Sequence, residues 1–370
     1  MLKVILTGGG TGGHVNPALA IADIIKTKEP DSEIIFIGTK KGIENHLVGK
    51  EGYTVRHVEA RGFNRSLSPK NLMAAWYFVT SPIKAKKIIK EFKPDIVIGT
   101  GGYVCYAPLK AAAKLGIPTA VHESNAIPGL AVRLLQRDID KILLNFAASR
   151  ERLEVKDKAV VVGNPLRGSF GRYTRESARA DLGISDEYKQ VVLSFGGSLG
   201  APAINKAALD IMEKFIKNCP DVLHIHATGK ERYDDFEKEF VKKGLNQCKN
   251  IQISDYLYDM PKKLAAADLV ISRAGAMTVT EMARMKKPCI MIPSPYVAEN
   301  HQYKNAKVLA DADAVVLIEE KSLENISIAE EIKKILADRD HLLTMSRNIS
   351  KFAGEDACEL IYREIKELIK

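Results

Sequence analysis

The chain has 370 residues, 46% of them hydrophobic and 27% charged, the balance of a globular protein of about two domains at roughly 150 residues each. Lysine and arginine (55) exceed aspartate and glutamate (46), for a formal charge of +9, which favours anionic partners such as nucleotides, nucleic acid or acidic lipid without choosing among them. No apolar run approaches the roughly 20 residues that cross a bilayer, and the five cysteines are far apart with no C-x-x-C pair, which argues against a disulfide framework or a zinc site.

The first predicted element in chain order is the strand KVILTGG, running into the glycine turn GGGTGGHVNPALAIA and a helix. The short apolar run ends in glycines and is no secretory signal, so a cytoplasmic chain is expected. The strands EIIFIGT, DIVIGTGG, PTAVHE, KILLNF and AVVVGNP follow, then VVLSFGG, LHIHATG, IQISDY, DLVISRAG and CIMIPSP, with helical patterns between them. That alternation predicts an α/β protein with parallel sheets and crossover helices.

The pattern occurs twice. A shift of 187 residues lays VVLSFGGSLGAPA over VILTGGGTGGHVN, so that Gly9, Gly10, Thr11 and Gly13 fall on Gly196, Gly197, Ser198 and Gly200. PDIVIGTGG echoes ADLVISRAG at 173, and Pro118-Thr119 echoes Pro288-Cys289 at 170. Three echoes in one order predict two similarly built halves. The expected domains are 1–164 and 165–349, with the amphipathic end of the chain, about 350–370, packing back on the first.

In parallel sheets, ligands collect at the carboxyl ends of the strands, where glycine admits close approach and a helix start offers unpaired N–H groups to phosphate. Gly8, Gly10 and Gly13 satisfy G-x-G-x-x-G, yet the second strand ends in Gly38-Thr39 with no acid for a ribose diol, which disfavours NAD. His14 and Val15 stand where a P-loop needs Lys and Ser/Thr. His14 is placed as a neutral base at the crevice mouth, or as a structural histidine. In the second half, Arg167 offers a fork for phosphate oxygens, Ser198 a hydroxyl beside the glycine turn, and SRAGAMTVTEM another helix start. Glu281, one turn into that helix, suits a ribose diol or a cap with Thr278. Gln302 and Asn305 suit a sugar, or simply a polar helix start.

Seven segments, GGGTGGHVNPALAIA, GTGGYV, HESNAIPGLA, VVGNPLR, GGSLGA, SRAGAMTVTEMA and HQYKNA, in this order across nearly the whole chain, resemble the MurG family, the N-acetylglucosaminyltransferases of bacterial peptidoglycan synthesis. The resemblance implies a glycosyltransferase B fold, two Rossmann-like domains with parallel sheets facing across a cleft. It implies an inverting hexosyltransferase that moves N-acetylglucosamine from UDP-N-acetylglucosamine to the C4 hydroxyl of the N-acetylmuramyl (pentapeptide) unit of undecaprenyl-diphosphate lipid I, forming lipid II. Ser198 and Arg167 would contact the diphosphate, Glu281 the ribose, the backbone of Leu257 the uracil, and Gln302 and Asn305 the sugar. Backbone donors would come from Ala276, Met277, Thr278, Val279 and Thr280. Thr11, Gly12, Gly13, His14 and Asn125 would close over the donor and frame the acceptor, with His14 the first choice of base and Glu123 the second. The chain departs from the family's pattern at Leu199, at Cys105-Tyr106 and at Ser124.

No cofactor is expected, and no essential metal: Asp138-x-Asp140 and Asp311-x-Asp313 read as helix-surface acids. A lipid acceptor requires reach to an anionic membrane surface, and LMAAWYFVTSPIKAKKIIK combines Leu72, Met73, Trp76, Tyr77, Phe78 and Val79 with Lys84, Lys86, Lys87 and Lys90. The expected location is the cytoplasmic face of the bacterial membrane, held peripherally. A UDP-N-acetylglucosamine 2-epimerase is the runner-up, and a non-catalytic nucleotide-sugar-binding subunit stands as a reading of another class. Nucleic acid is not expected as a partner, for want of an RNP-type aromatic strand or a recognition helix.

Overall fold

The computed structural model describes all residues except 62–69, 169, 198, 298 and 299, and, for 70–72, the backbone but not the side chains. The chain divides into two compact units, Met1–Gly168 with Gly354–Lys370, and Ser169–Ala353.

Unit 1 is built on strands β1 (Lys3–Thr7), β2 (Glu33–Gly38), β3 (Thr54–His57), β4 (Ile96–Gly99), β5 (Thr119–Glu123), β6 (Lys141–Leu144) and β7 (Ala159–Val161). They form one parallel sheet in the order β3-β2-β1-β4-β5-β6-β7. Helices α1 (Gly12–Lys28), α2 (Glu44–Lys50), α3 (Lys70–Phe92), α4 (Tyr106–Lys114) and α5 (Leu130–Leu135) connect them. Both faces of the sheet are covered, which is why β4 reads as an unbroken apolar run with Ile96, Val97 and Ile98 wholly buried.

Unit 2 repeats the plan. Helices α6 (Arg175–Asp181), α7 (Pro202–Lys214), α8 (Tyr233–Lys242), α9 (Met260–Ala266), α10 (Ala276–Arg284), α11 (His301–Ala310), α12 (Ile328–Ala337) and α13 (Arg339–Ser350) surround a second sheet. Its strands are β8 (Gln190–Phe195), β9 (Val222–Ala227), β10 (Ile251–Ser254), β11 (Leu269–Ser272), β12 (Cys289–Met291) and β13 (Val315–Leu317), in the order β10-β9-β8-β11-β12-β13. The three sequence echoes fall on equivalent strands, β1 with β8, β4 with β11 and β5 with β12. Gly10 and Gly197, 187 residues apart, both hold a left-handed backbone, at φ of 86° and 90°, where a side chain is strained.

The last helix, α14 (Ala357–Leu368), belongs to unit 1. Ile361 and Ile365 sink into the core beside Ala18, Ile21 and Ala22 of α1. Tyr362 and Lys366 reach Glu29 at 2.9 and 2.8 Å, and Lys28 pairs with Glu359 at 2.8 Å. Strands β3 and β13, absent from the sequence reading, are the short edge strands whose pattern is too brief to register.

Candidate active site

In unit 1 the turn after β1 brings His14 to the carboxyl end of the sheet. Its Nδ1 lies 3.1 Å from the Thr100 carbonyl oxygen, and the Thr100 hydroxyl donates back to the His14 carbonyl at 2.6 Å. A carbonyl only accepts, so Nδ1 carries the proton and the neutral ring keeps its lone pair on Nε2. Burial lowers the pKa of His14, more than the Thr100 contact raises it. The ring packs against Gly101, where a Cβ would stand 2.6 Å from Nδ1. The result is a half-buried neutral imidazole with a defined basic nitrogen.

Glu123, the second candidate base, is spent on its own loop. Its Oε1 accepts from the Asn125 backbone (2.9 Å) and side-chain amide (3.1 Å), and its Oε2 accepts from Gly129 N–H (2.7 Å). Burial raises its pKa and those hydrogen bonds oppose the rise. This carboxylate shapes the loop that carries Asn125, whose carbonyl accepts from Ser149 at 2.9 Å. The neighbouring His122 points to the other face of the strand, towards the Gly163 carbonyl at 2.9 Å, and burial lowers its pKa to about 4.

His14, Glu123 and Asn125 line a cavity of about 330 Å³ walled by Tyr77, Phe78, Tyr103, Tyr106, Leu130 and Leu134. Tyr106 stacks on Phe78 with ring centroids 3.9 Å apart. Gly12 and Gly13 open α1, where Thr11 is the cap and makes no side-chain capping bond; the carbonyl of Thr11 takes the N–H groups of His14 and Val15.

Unit 2 gathers a polar set of its own. Helix α10 starts at Gly275 without a side-chain cap, so the first-turn N–H groups of Ala276, Met277 and Thr278 have no intrahelical acceptor. The expectation of donors through Thr280 is too generous: Val279 N–H already bonds Gly275 O at 2.9 Å, and Thr280 N–H, one residue further on, lies beyond the four unpaired groups of a helix start. Burial alone pushes Glu281 up to about 8, and no hydrogen bond to its carboxyl is seen among the described residues, which removes the proposed cap with Thr278. Tyr256 is close enough for Glu281 to raise its pKa, second to burial. Leu257 is only 4% exposed, its side chain in the core. Asn305 is buried and donates to the Ala274 carbonyl (3.1 Å) in the loop leading into α10, while Gln302 accepts from Ser294 N–H (2.9 Å). Both amides therefore already brace loops of this region. Ser198 lies outside the described residues.

Arg167 takes a different place from the one expected. It falls in unit 1, where its guanidinium forks onto both carboxylate oxygens of Glu51 (2.6 and 2.7 Å) and reaches Asp23 at 2.9 Å. Two carboxylates satisfy the planar fork, so in this structure it braces α1 against the end of α2 and offers no free donor pair. Three acids of the near-metal patterns are also engaged: Asp138 pairs with Lys110 at 2.7 Å, Asp140 accepts from Thr119 N–H and hydroxyl at 2.8 Å, and Asp311 pairs with Lys307; Asp138 and Asp140 follow the end of α5 and are not on a helix.

On α3 the expected patch separates into two faces. Tyr77 and Phe78 turn into the cavity, whereas Met73 (47% exposed), Trp76 (66%) and Val79 (70%) face out. They are joined by Ile83 (72%), which the sequence reading missed although it continues the helical spacing. Lys84 is paired with Glu59 at 2.7 Å; Lys86, Lys87 and Lys90 are exposed. The Leu72 side chain lies outside the described set. Among the described residues no helix is long and apolar enough to cross a membrane.

Two Rossmann-like units, each a parallel sheet with a glycine turn after its first strand, are the build of a nucleotide-sugar-dependent enzyme of the glycosyltransferase B type. The chain belongs to glycosyltransferase family 28: residues 4–144 match the family's N-terminal domain and 191–361 its C-terminal domain. It is 43% identical, over all of its length and 99% of the relative's, to the UDP-N-acetylglucosamine--N-acetylmuramyl-(pentapeptide) pyrophosphoryl-undecaprenol N-acetylglucosamine transferase of Acetivibrio thermocellus. The Clostridioides difficile protein of the same name is 42% identical over 100% of this chain and 89% of its own. Among solved structures, MurG of Acinetobacter baumannii superposes with a TM-score of 0.73 at 26% identity, covering 99% of this chain and 100% of that one. A UDP-GlcNAc 2-epimerase from Neisseria meningitidis (TM-score 0.67, 14% identity, covering 99% of this chain and 100% of that one) shares the fold alone.

Proposed function

We propose that the chain transfers N-acetylglucosamine from UDP-N-acetylglucosamine to the C4 hydroxyl of the N-acetylmuramyl unit of undecaprenyl-diphosphate lipid I, with inversion at the sugar, to give lipid II. The observation that carries this reading is full-length identity of 37–43% to relatives of that name, joined to a neutral imidazole, His14, that lines an apolar, aromatic-walled cavity with its lone pair on Nε2. Nε2 takes the proton of the attacking hydroxyl as the bond to sugar C1 forms and UDP leaves. Such general-base assistance is worth about 10²–10⁴-fold. Unit 2 holds the donor: Glu281 accepts the ribose hydroxyls, and the open N–H groups at the start of α10 stabilise the charge that develops on the diphosphate. The outward face of α3 rests on the anionic membrane surface from which a polyprenyl acceptor is drawn, on the cytoplasmic side.

The test is transfer of radiolabel from UDP-N-acetylglucosamine to lipid I by the purified protein. His14→Ala should lower kcat by about 10²-fold or more while UDP affinity persists. Formation of UDP-N-acetylmannosamine without acceptor would instead assign the 2-epimerase reaction, and a requirement for a second protein would assign a binding subunit.

A further inference from the structure

The β2–α2 loop contains a group that the sequence reading passed over. Glu44, the first residue of α2, is a carboxylic acid only 1% exposed, buried beneath the turn that carries His14. Its Oε1 accepts from the Thr39 N–H at 2.7 Å and the Thr39 hydroxyl at 2.9 Å, and its Oε2 faces the N–H of Gly10 at 3.4 Å. Three glycines make room for it. A Cβ built on Gly9 would stand 2.8 Å from the carboxylate, one on Gly38 2.6 Å from Cγ, and one on Gly42 2.1 Å from both oxygens. The upper side of the same turn is equally confined: the Gly9 carbonyl oxygen lies where a Cβ on Gly102 would come within 2.4 Å, and Gly101 and Gly102 flank the His14 ring. The turn is therefore pressed between Glu44 below and the Gly101-Gly102 backbone above. Asn45, next in sequence, ties the lower loop through Thr39 O (2.7 Å) and Gly42 O (3.0 Å), and its Oδ1 meets His57 Nε2 at 2.7 Å.

We infer that Glu44 is a positioning residue for the reaction: its Oε2 latches the N–H of Gly10 and so sets where the turn presents His14 to the acceptor hydroxyl. This deepens the proposed transferase reading and rests on it. A buried acid so placed acts through orientation, and misplacement of a base by about 1 Å is enough to cost about 10²-fold.

The isosteric Glu44→Gln separates the two ends of the contact. Its carbonyl oxygen keeps the Thr39 donors, while an amide NH₂ then opposes the Gly10 N–H. In the lipid I transfer assay Glu44→Gln should lower kcat at least tenfold with the KM for UDP-N-acetylglucosamine within twofold, because the donor is held by unit 2. Combined with His14→Ala it should add little, since both changes remove one function. Thr39→Val, which deletes a hydroxyl from the other oxygen, should keep kcat within threefold. Nuclear magnetic resonance of the His14 ring supplies a readout without turnover: its titration should move in Glu44→Gln and hold in Thr39→Val. An unmoved kcat, full additivity with His14→Ala, or an unmoved His14 titration overturns the inference. Were Glu44→Gln to misfold, Gly42→Ala, which drives a methyl into the carboxylate, must reproduce the kcat loss or the inference fails. If wild-type protein transfers no sugar, the functional reading has failed, and the His14 titration alone still decides whether Glu44 governs the turn.

Discussion

Glu281 shows how a single half-buried group becomes a pH signature. Burial holds its carboxyl up to about 8, so at neutral pH the free protein keeps it protonated, whereas a ribose diol is best received by the carboxylate. Binding below pH 8 then releases a proton, and UDP affinity, measured by calorimetry, should rise with pH by up to about tenfold per unit and level off near 8; Glu281→Gln should bind weakly and without that slope. A buried pair of histidines makes stability, too, depend on pH. Ser194 Oγ lies 2.7 Å from both His224 Nε2 and His226 Nδ1, and the remaining ring nitrogens, His224 Nδ1 and His226 Nε2, are buried without a partner among the described residues. Burial depresses both rings, His226 to about 3. Below the ordinary value of 6.5 the unfolded chain binds protons that the folded unit refuses, so stability is fully present above that pH and falls as the pH drops below it. Hydrogen exchange in β8 and β9, corrected for intrinsic rates, should accelerate on acidification, and less so in His226→Leu. His14 and Glu281 are legible in the sequence because each sits in a local pattern, a glycine turn or a helix start. Glu44 is not, because its Gly10 contact is made 34 residues away, and the pairing of Arg167 is hidden for the same reason, its partners Asp23 and Glu51 being more than a hundred residues distant.

At the scale of elements, the parallel strands and the glycine turns follow from their runs of Val, Ile and Leu and from the residues that end them. The last helix is a different case: an amphipathic stripe announces burial but not against what. Ile361 is wholly buried between α14 and the sheet-facing side of α1. Ile361→Ala should cost about 2–5 kcal/mol, read as faster hydrogen exchange in β1 and α1 with β8 and β9 as the internal control. Loss of protection confined to β8 and β9 would contradict this placement. Helix α3 likewise announces two kinds of apolar residue by spacing without saying which side meets the cavity; the stacking of Phe78 on Tyr106 decides it, and leaves Trp76, Val79 and Ile83 outward.

For the whole molecule, the net charge of +9 and the outward face of α3 work together. Trp76→Glu with Ile83→Glu should abolish most binding to anionic vesicles while UDP affinity holds. Changing Lys86, Lys87 and Lys90 to Gln should weaken binding by about 1 kcal/mol each at low salt and less at high salt; vesicle sedimentation over a salt series checks both, and undiminished binding would remove α3 from the proposed membrane contact. What the sequence by itself determined is the class of the molecule: alternating strand and helix periods, each set by the backbone geometry of consecutive residues, specify two parallel-sheet units, and the ordered motifs specify their family. Only the tertiary structure decided which polar groups are free to meet a ligand. Arg167, Glu123 and Asn305 read as available and are engaged by the protein itself, while Glu44, which no sequence motif marks, is buried under the turn of His14. The physical reason is that a hydrogen-bonding group is satisfied by whatever the fold brings within about 3 Å: for Glu123 that is its own loop, and for Arg167, for Asn305 and for the Gly10 contact of Glu44 it is a segment far away in the chain.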